Sequence, residues 1–229
     1  MNEAFWKELE LVIFDVDGTL YNQTVLRKIM MRKLLIYYLF KPWKYRELLI
    51  IYHFRKERDK RAGFSGKDLN NEQYNWCAKR LNVEIDLVRR VIDKWIFTIP
   101  NDYLKLCMYP GVHEFFTELK NAGIQTAIYS DYESKTKLIK MNLETDLQVC
   151  STDSGIDAFK PLPNGLFMIL SNMNVPSENC LFIGDRFELD GLCAKNAGVE
   201  FFLIEKNNAE AGLFLKLSSD LIKFIKEPI

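Results

Sequence analysis

Short apolar runs recur along the chain without the polar alternation that marks a half-exposed strand. They lie at 11–14, 126–129, 147–150, 180–183 and 201–204, and the third is the weakest. Runs of this kind are typical of strands buried on both faces, as in a parallel sheet covered by helices. Helical periodicity separates the later runs, at 113–121, 134–141, 164–173 and 189–196. This alternation of strand and helix predicts a doubly wound α/β fold.

The segment between the first two runs differs, because it contains no convincing strand pattern. Helical periodicity appears there at 25–39, 44–58, 72–81 and 84–97. An all-helical stretch of this length, inserted after the first strand, predicts a second domain over the edge of the sheet. We therefore expect a three-layer α/β core formed by residues 1–21 and 107–229, with an inserted all-helical cap domain at 22–106.

The charge of the chain is unevenly distributed, although the formal net charge is zero. Residues 24–61 contain 12 Lys and Arg against three Asp and Glu, a local charge of +9, and the remainder carries −9. A neutral chain argues against a nucleic-acid partner. The asymmetry indicates that two parts of the surface meet different surroundings.

The cysteines and the N-terminal residues indicate the cellular compartment of the protein. The five cysteines form no CxxC pair and mostly lie among apolar residues, so we interpret them as buried free thiols rather than disulfides or zinc ligands. The chain opens with acidic residues where a signal peptide needs a positive start. Charged residues also interrupt the most apolar window, 25–54, before ~18 apolar residues accumulate. These features predict a cytoplasmic protein.

Four polar clusters follow predicted strands at the carboxyl edge, where open α/β sheets bind ligands. They are Asp15, Asp17, Gly18 and Thr19; then Ser130 and Asp131; then Lys160; and finally Gly184, Asp185 and Asp190. Carboxylates without a nearby Cys or His set favour a hard ion such as Mg²⁺. One carboxylate can attack phosphorus and another can transfer protons. A serine hydroxyl and a lysine ammonium can hold phosphoryl oxygens, which points to phosphate chemistry.

The order of these clusters resembles a known family. The segments Asp15-Val16-Asp17-Gly18-Thr19-Leu20, Ser130, Lys160-Pro161 and Gly184-Asp185-x-x-x-x-Asp190-Gly191 are similar to the haloacid dehalogenase superfamily motifs, in the same order. The resemblance covers nearly the whole chain. It implies a Rossmann-like core and a phosphatase-type member with a helical cap after the first motif, similar to phosphoglycolate phosphatases and β-phosphoglucomutases.

The resemblance also implies roles for individual residues. Asp15 would be the nucleophile and a Mg²⁺ ligand, and Asp17 the general acid and base, binding the ion through its backbone carbonyl. Lys160 would offset the charge on Asp15, Asp185 would complete the metal site, and Asp190 would support it or bind through water. The residues expected to bind substrate are Gly18, Thr19, Ser130, Asp131 and Lys160.

These features predict a Mg²⁺-dependent phosphatase that hydrolyses a small-molecule phosphate ester through an aspartyl-phosphate. An acid at position 17 resembles the phosphatases and sugar-phosphate mutases of the family rather than its dehalogenases. A sugar-phosphate mutase, a phospho-Asp signalling module and a catalytically silent scaffold remain alternatives. A dinucleotide-binding oxidoreductase is excluded, because no GxGxxG follows the first strand.

The amphipathic, basic stretch at 25–40 leaves three interpretations open. It can pack within the cap with its lysines solvated, draw an anionic substrate into the cleft, or rest weakly on an anionic membrane surface. The sequence carries no signal for the oligomeric state.

Overall fold

The computed structural model describes residues 3–226 of the 229-residue chain. Five parallel strands form one sheet in the order β3-β2-β1-β4-β5. The strands are β1 (Leu11–Phe14), β2 (Gln125–Ser130), β3 (Leu147–Cys150), β4 (Cys180–Gly184) and β5 (Glu200–Leu203). Each predicted strand is present, and β1 lies at the centre of the sheet, where its four apolar residues are buried.

Helices precede, separate and follow these strands. They are α1 (Glu3–Glu8), α2 (Gln23–Phe40), α3 (Arg46–Asp59), α4 (Leu69–Leu81), α5 (Ile85–Ile92), α6 (Leu104–Cys107), α7 (Val112–Asn121), α8 (Lys135–Met141), α9 (Asn164–Met173), α10 (Leu192–Ala197), α11 (Lys206–Glu210) and α12 (Leu213–Lys226). Short 3-10 turns lie at Pro42–Lys44, Pro100–Tyr103 and Ser177–Asn179. Two π-helical turns lie at Asp93–Thr98 and Phe187–Gly191.

The π-helical turns change two predicted helices. The helix predicted at 84–97 is α-helical only to Ile92 and continues as a π-turn. The helix predicted at 189–196 is α-helical only from Leu192, because a π-turn occupies its start. In that turn the Asp190 carboxylate accepts a hydrogen bond from the Arg186 N–H at 3.1 Å.

Two apolar cores cover the two faces of the sheet. Val12 and Phe14 of β1 point into a core shared with α7 and α12, whereas Leu11 and Ile13 point into a core shared with α9 and α10. Alternate residues of a strand face opposite sides, so a continuous apolar run is what a sheet covered on both faces requires. The core is a three-layer, Rossmann-like α/β fold, which confirms the predicted fold class.

The segment between β1 and β2 enters and leaves the core at one point. Tyr21 and Met108 form an isolated antiparallel bridge there, and the Asn22 N–H donates to the Cys107 carbonyl at 2.8 Å. We call residues 22–106 the helical insertion. Within the described residues it contains helices, turns and loops, and a single bridging residue, Ser65, which pairs with Ala158.

The helical insertion also contacts the loop that carries Lys160. The Gly63 N–H donates to the Lys160 carbonyl at 2.9 Å, and the Phe159 N–H donates to the Phe64 carbonyl at 2.9 Å. The Arg58 guanidinium is centred 4.0 Å from the ring centroid of Tyr132. These contacts hold the insertion over the carboxyl edge of the sheet.

The prediction that the cysteines are buried free thiols is confirmed, because all five are buried and none forms a disulfide within the described residues. Across residues 3–226, the helices are too short or too polar to cross a bilayer.

Candidate active site

Asp15 occupies the first position after the central strand. Its N–H donates to the Ile183 carbonyl at 2.9 Å, so the backbone continues the sheet pairing for one residue beyond β1. The carboxylate is largely buried and accepts a hydrogen bond from the Thr19 hydroxyl at 3.1 Å. Thr19 itself is fully buried, so its hydroxyl serves to orient the Asp15 carboxylate.

Lys160 connects two carboxylates inside the site. Its ammonium lies 2.8 Å from an oxygen of Asp15 and 2.8 Å from an oxygen of Asp190, and only 2% of the residue is exposed. Burial lowers the pKa of Lys160, but Asp15 and Asp190 outweigh that effect and raise it well above its ordinary value. The side chain therefore remains a cation that compensates the buried negative charge.

Asp17 has its own cation, which the sequence analysis missed. The Lys137 ammonium lies 2.5 and 2.6 Å from the two Asp17 carboxylate oxygens, and the Tyr21 hydroxyl donates to the same carboxylate. Burial raises the pKa of Asp17, but Lys137 and Tyr21 outweigh it and lower the pKa below its ordinary value. Lys137 lies in the first turn of α8, directly after the Ser130 cluster, and that position is the signal that could have identified it.

Two glycines permit the close approach of the acidic side chains. Gly18 has a φ of +105°, and a Cβ there would lie 2.1 Å from an Asp185 carboxylate oxygen. At Gly184 a Cβ would lie 2.6 Å from the Asp190 carboxyl carbon. A side chain at either position would displace a carboxylate of the site.

The carboxylates of Asp15, Asp185 and Asp190 each offer an oxygen, and these oxygens lie within 4.8 Å of one another. One Asp185 oxygen is buried and has no hydrogen-bond partner. Burial and the neighbouring Asp190 raise the pKa of Asp185 to about 7. An unpartnered carboxylate oxygen among oxygen donors fits a hard divalent cation. The Asp190 oxygens are already engaged, by Lys160 and by the Arg186 N–H.

Ser130 and Asp131 follow β2 at the same edge. The buried Ser130 hydroxyl oxygen accepts a hydrogen bond from the Tyr132 N–H at 3.3 Å. The Asp131 carboxylate accepts hydrogen bonds from the Ser151 hydroxyl and, at 3.5 Å, from the Lys160 N–H. Asp131 thus steadies the backbone of the loop that presents Lys160.

A cleft of about 530 Å³ between the sheet edge and the helical insertion joins these groups. The predicted site residues that line it are Asp15, Asp17, Ser130, Asp131, Lys160, Asp185 and Asp190. Gly18 and Thr19 are not among its lining residues. Gly18 leaves room for the Asp185 carboxylate, and the Thr19 hydroxyl donates a hydrogen bond to Asp15. Arg186 also lines the cleft and lies 3.4 Å from Glu188 in an exposed ion pair.

The comparison that decides the family is a sequence match. A family model described as haloacid dehalogenase-like hydrolase matches residues 9–198, which includes every predicted site residue. The chain belongs to the haloacid dehalogenase-like hydrolases. A search of curated protein sequences finds no significant match to this hydrolase.

Solved structures with this fold carry several chemistries. A 2-haloacid dehalogenase from Pseudomonas syringae has a TM-score of 0.60 and 16% identity, covering 85% of this chain and 86% of its own. A β-phosphoglucomutase from Clostridium difficile has a TM-score of 0.55 and 15% identity, covering 95% and 99%. An HAD phosphatase from Thermococcus onnurineus has a TM-score of 0.51 and 16% identity, covering 87% of each chain. At these sequence identities, the similarity between this chain and the three solved structures is a similarity of fold.

The raised pKa values predict how stability depends on pH in the presence of a chelator. Burial raises the pKa of Asp15 from 3.8 to about 8, and Lys160 only partly offsets the effects of burial and the nearby carboxylates. The folded state then keeps a proton that the unfolded state has released, so the contribution of Asp15 to stability is complete below about pH 4 and is progressively lost as the pH rises from about 5 toward 8. We expect the melting temperature in EDTA to fall over this window. Asp185→Asn removes another carboxylate whose pKa is raised, so its melting temperature should fall less than that of wild type. An equal fall in that variant would contradict the raised pKa of Asp185.

Proposed function

We propose that this chain is a Mg²⁺-dependent phosphatase that hydrolyses a small-molecule phosphate monoester through an aspartyl-phosphate on Asp15. The observation that carries the proposal is the pair Asp15 and Asp17, which line one cleft with separate cations. Halide leaves carbon as a stable anion and needs no proton, whereas an alkoxide leaving group does. A second carboxylate placed for proton transfer therefore favours phosphate esters over haloacids.

The metal would be held by the carboxylates of Asp15 and Asp185, supported by Asp190, and by the backbone carbonyl of Asp17. When bound, the ion supplies positive charge that reduces repulsion between the Asp15 carboxylate and an anionic phosphate. Lys160 adds a second positive charge beside Asp15, and the Ser130 hydroxyl can donate to a phosphoryl oxygen.

In the first step an Asp15 oxygen attacks phosphorus, the bond from phosphorus to the ester oxygen breaks, and Asp17 gives that oxygen a proton. In the second step Asp17 takes a proton from water, whose oxygen attacks phosphorus and releases inorganic phosphate from Asp15. Lys137 favours deprotonated Asp17, which suits the second step. A dianionic phosphate in the cleft raises the proton affinity of Asp17 and so favours the first step.

The helical insertion would serve as the cap domain, with boundaries at 22–106, and would select the substrate. Its α2 and α3 contribute Arg27 and Arg55 to the wall of the cleft that Asp15 also lines. Two guanidinium groups on this wall favour a substrate that carries negative charge beyond the reacting phosphate.

Metal removal tests the proposal directly. We expect phosphate release from p-nitrophenyl phosphate, and from a panel of sugar, nucleotide and lipid-headgroup phosphates, to fall about 100-fold or more when EDTA replaces Mg²⁺. Release would be measured as inorganic phosphate, with Mg²⁺ added back as the control. Release that is unaffected by EDTA would contradict the metal assignment. Isomerisation of a sugar phosphate without phosphate release would identify a mutase instead.

A further inference from the structure

The helical insertion exposes a group of large apolar side chains at the end of α2. Leu35, Leu39, Phe40 and Trp43 are each more than 70% exposed, and we call these four residues the apolar corner. Leu35 and Leu39 are one helical turn apart, and Trp43 lies in the 3-10 turn that follows. Single exposed apolar residues are common in soluble proteins, but a contiguous group of large ones marks a binding surface.

A groove of about 670 Å³ lies beside the apolar corner. Its apolar lining consists of Ile29, Ile36, Tyr37, Phe40, Trp95 and Ile99. Its cations include Lys41 and Lys94, whose ammonium groups lie 5.0 and 3.8 Å from the Tyr37 ring centroid. An apolar floor with lysines at its rim matches a molecule that has a hydrocarbon part next to an anionic group.

The groove shares one residue with the apolar corner and another with the active-site cleft. Phe40 belongs to both the corner and the groove, and Trp95 lines both the groove and the cleft. On its other side α2 contributes Met30 and Leu34 to the cleft wall. One helix therefore joins the exposed apolar surface to the wall of the site.

Charge decides which partner fits this surface. The segment 24–61, which includes the apolar corner, carries +9, and the rest of the chain carries −9. An anionic surface would attract the insertion, repel the α/β core and so orient the protein. A second copy docked through the same corner would oppose two surfaces of equal positive charge, which disfavours a homodimer.

We propose that the apolar corner and the basic residues around it dock this protein on an anionic membrane surface. Helix α2 lies in the interfacial plane, with Leu35 and Leu39 among the acyl chains and Lys28 and Arg32 at the headgroups. Lys28, Arg32, Leu35 and Leu39 share one face of the helix, because they are spaced by three or four residues.

Flotation of the full-length chain with lipid vesicles tests this inference. We expect it to float with vesicles of phosphatidylglycerol and phosphatidylcholine in equal parts and to remain at the bottom with phosphatidylcholine alone. Raising the salt concentration should release it, since the attraction between exposed charges is screened. Failure to float with the anionic vesicles, or equal flotation with both kinds, would overturn the proposal.

Two variants separate the apolar from the electrostatic contribution. Leu39→Ser/Trp43→Ser and Lys28→Glu/Arg32→Glu should each lower the partition coefficient about tenfold or more. The matched control Ile139→Ser/Lys195→Glu alters exposed residues of the α/β core and should float like wild type. Wild-type flotation of the first two variants would overturn the proposal. So would a stable dimer that Leu39→Ser/Trp43→Ser dissociates. Flotation needs no turnover, so its failure is distinguishable from failure of the proposed phosphatase activity.

Discussion

Replacing Asp15 with asparagine should lower kcat about 10⁴-fold or more while leaving the protein folded. The amide retains one oxygen that can accept the hydrogen bond from Lys160 at 2.8 Å, but its NH₂ group replaces the oxygen that accepts from Thr19 at 3.1 Å, and the side chain cannot form the acyl-phosphate. The variant also removes a carboxylate whose pKa burial raises to about 8. We therefore expect Asp15→Asn in EDTA to melt at a higher temperature than wild type at pH 8, with a smaller difference at pH 5.

Asp86→Asn provides the matched control, because Asp86 is exposed in the first turn of α5 and lies outside the cleft. Its phosphate release and its melting temperature should follow wild type at both pH values. If Asp15→Asn retained more than about a tenth of wild-type kcat, which corresponds to a barrier change below ~1.4 kcal/mol, Asp15 would not be the nucleophile. Steady-state phosphate release and thermal denaturation monitored by circular dichroism supply both measurements.

The strands could be predicted because a short run of apolar residues by itself indicates burial on both faces. A run such as Leu11–Phe14 has no polar face, so it fits only a strand covered on both sides, and the observed β1 has these bounds. The bounds of the edge strand β5 are less well defined by its sequence. It was predicted at 201–204 and lies at Glu200–Leu203, where the exposed Glu200 pairs with Leu181. An edge strand buries less of each side chain, so its apolar run constrains the register weakly.

The clusters at the carboxyl edge could also be anticipated, since parallel strands bring their ends to one side of the sheet. The internal contacts of the site could not. Periodicity does not distinguish Lys137, which is buried against Asp17, from the solvated lysines of the same helix. Periodicity likewise does not predict the π-turn at Phe187–Gly191, in which Asp190 bonds both to Lys160 and to a backbone N–H. Such features arise from tertiary contacts that a local pattern does not encode.

Replacing Lys160 with methionine should be the most destabilising of the substitutions considered, at about 3–5 kcal/mol at pH 8 in the absence of metal. Methionine fills a similar volume, but the buried carboxylates of Asp15 and Asp190 lose the ammonium that lies 2.8 Å from each. The pKa of Asp15, already raised to about 8, would rise further without this cation, so the deficit should shrink as the pH falls below that value. Urea denaturation at pH 5 and pH 8 measures this, and activity should be lost at both.

The control Lys195→Met changes an exposed lysine of α10 and should leave the unfolding free energy within about 0.5 kcal/mol of wild type. The double variant Lys160→Met/Asp190→Asn identifies the cause. If uncompensated charge is responsible, removing one carboxylate recovers part of the lost stability, and the two substitutions are not additive. If the loss instead reflects packing, the double variant will be no more stable than Lys160→Met and the deficit will not depend on pH. That outcome would contradict the view that Lys160 acts as the buried counter-ion of the site.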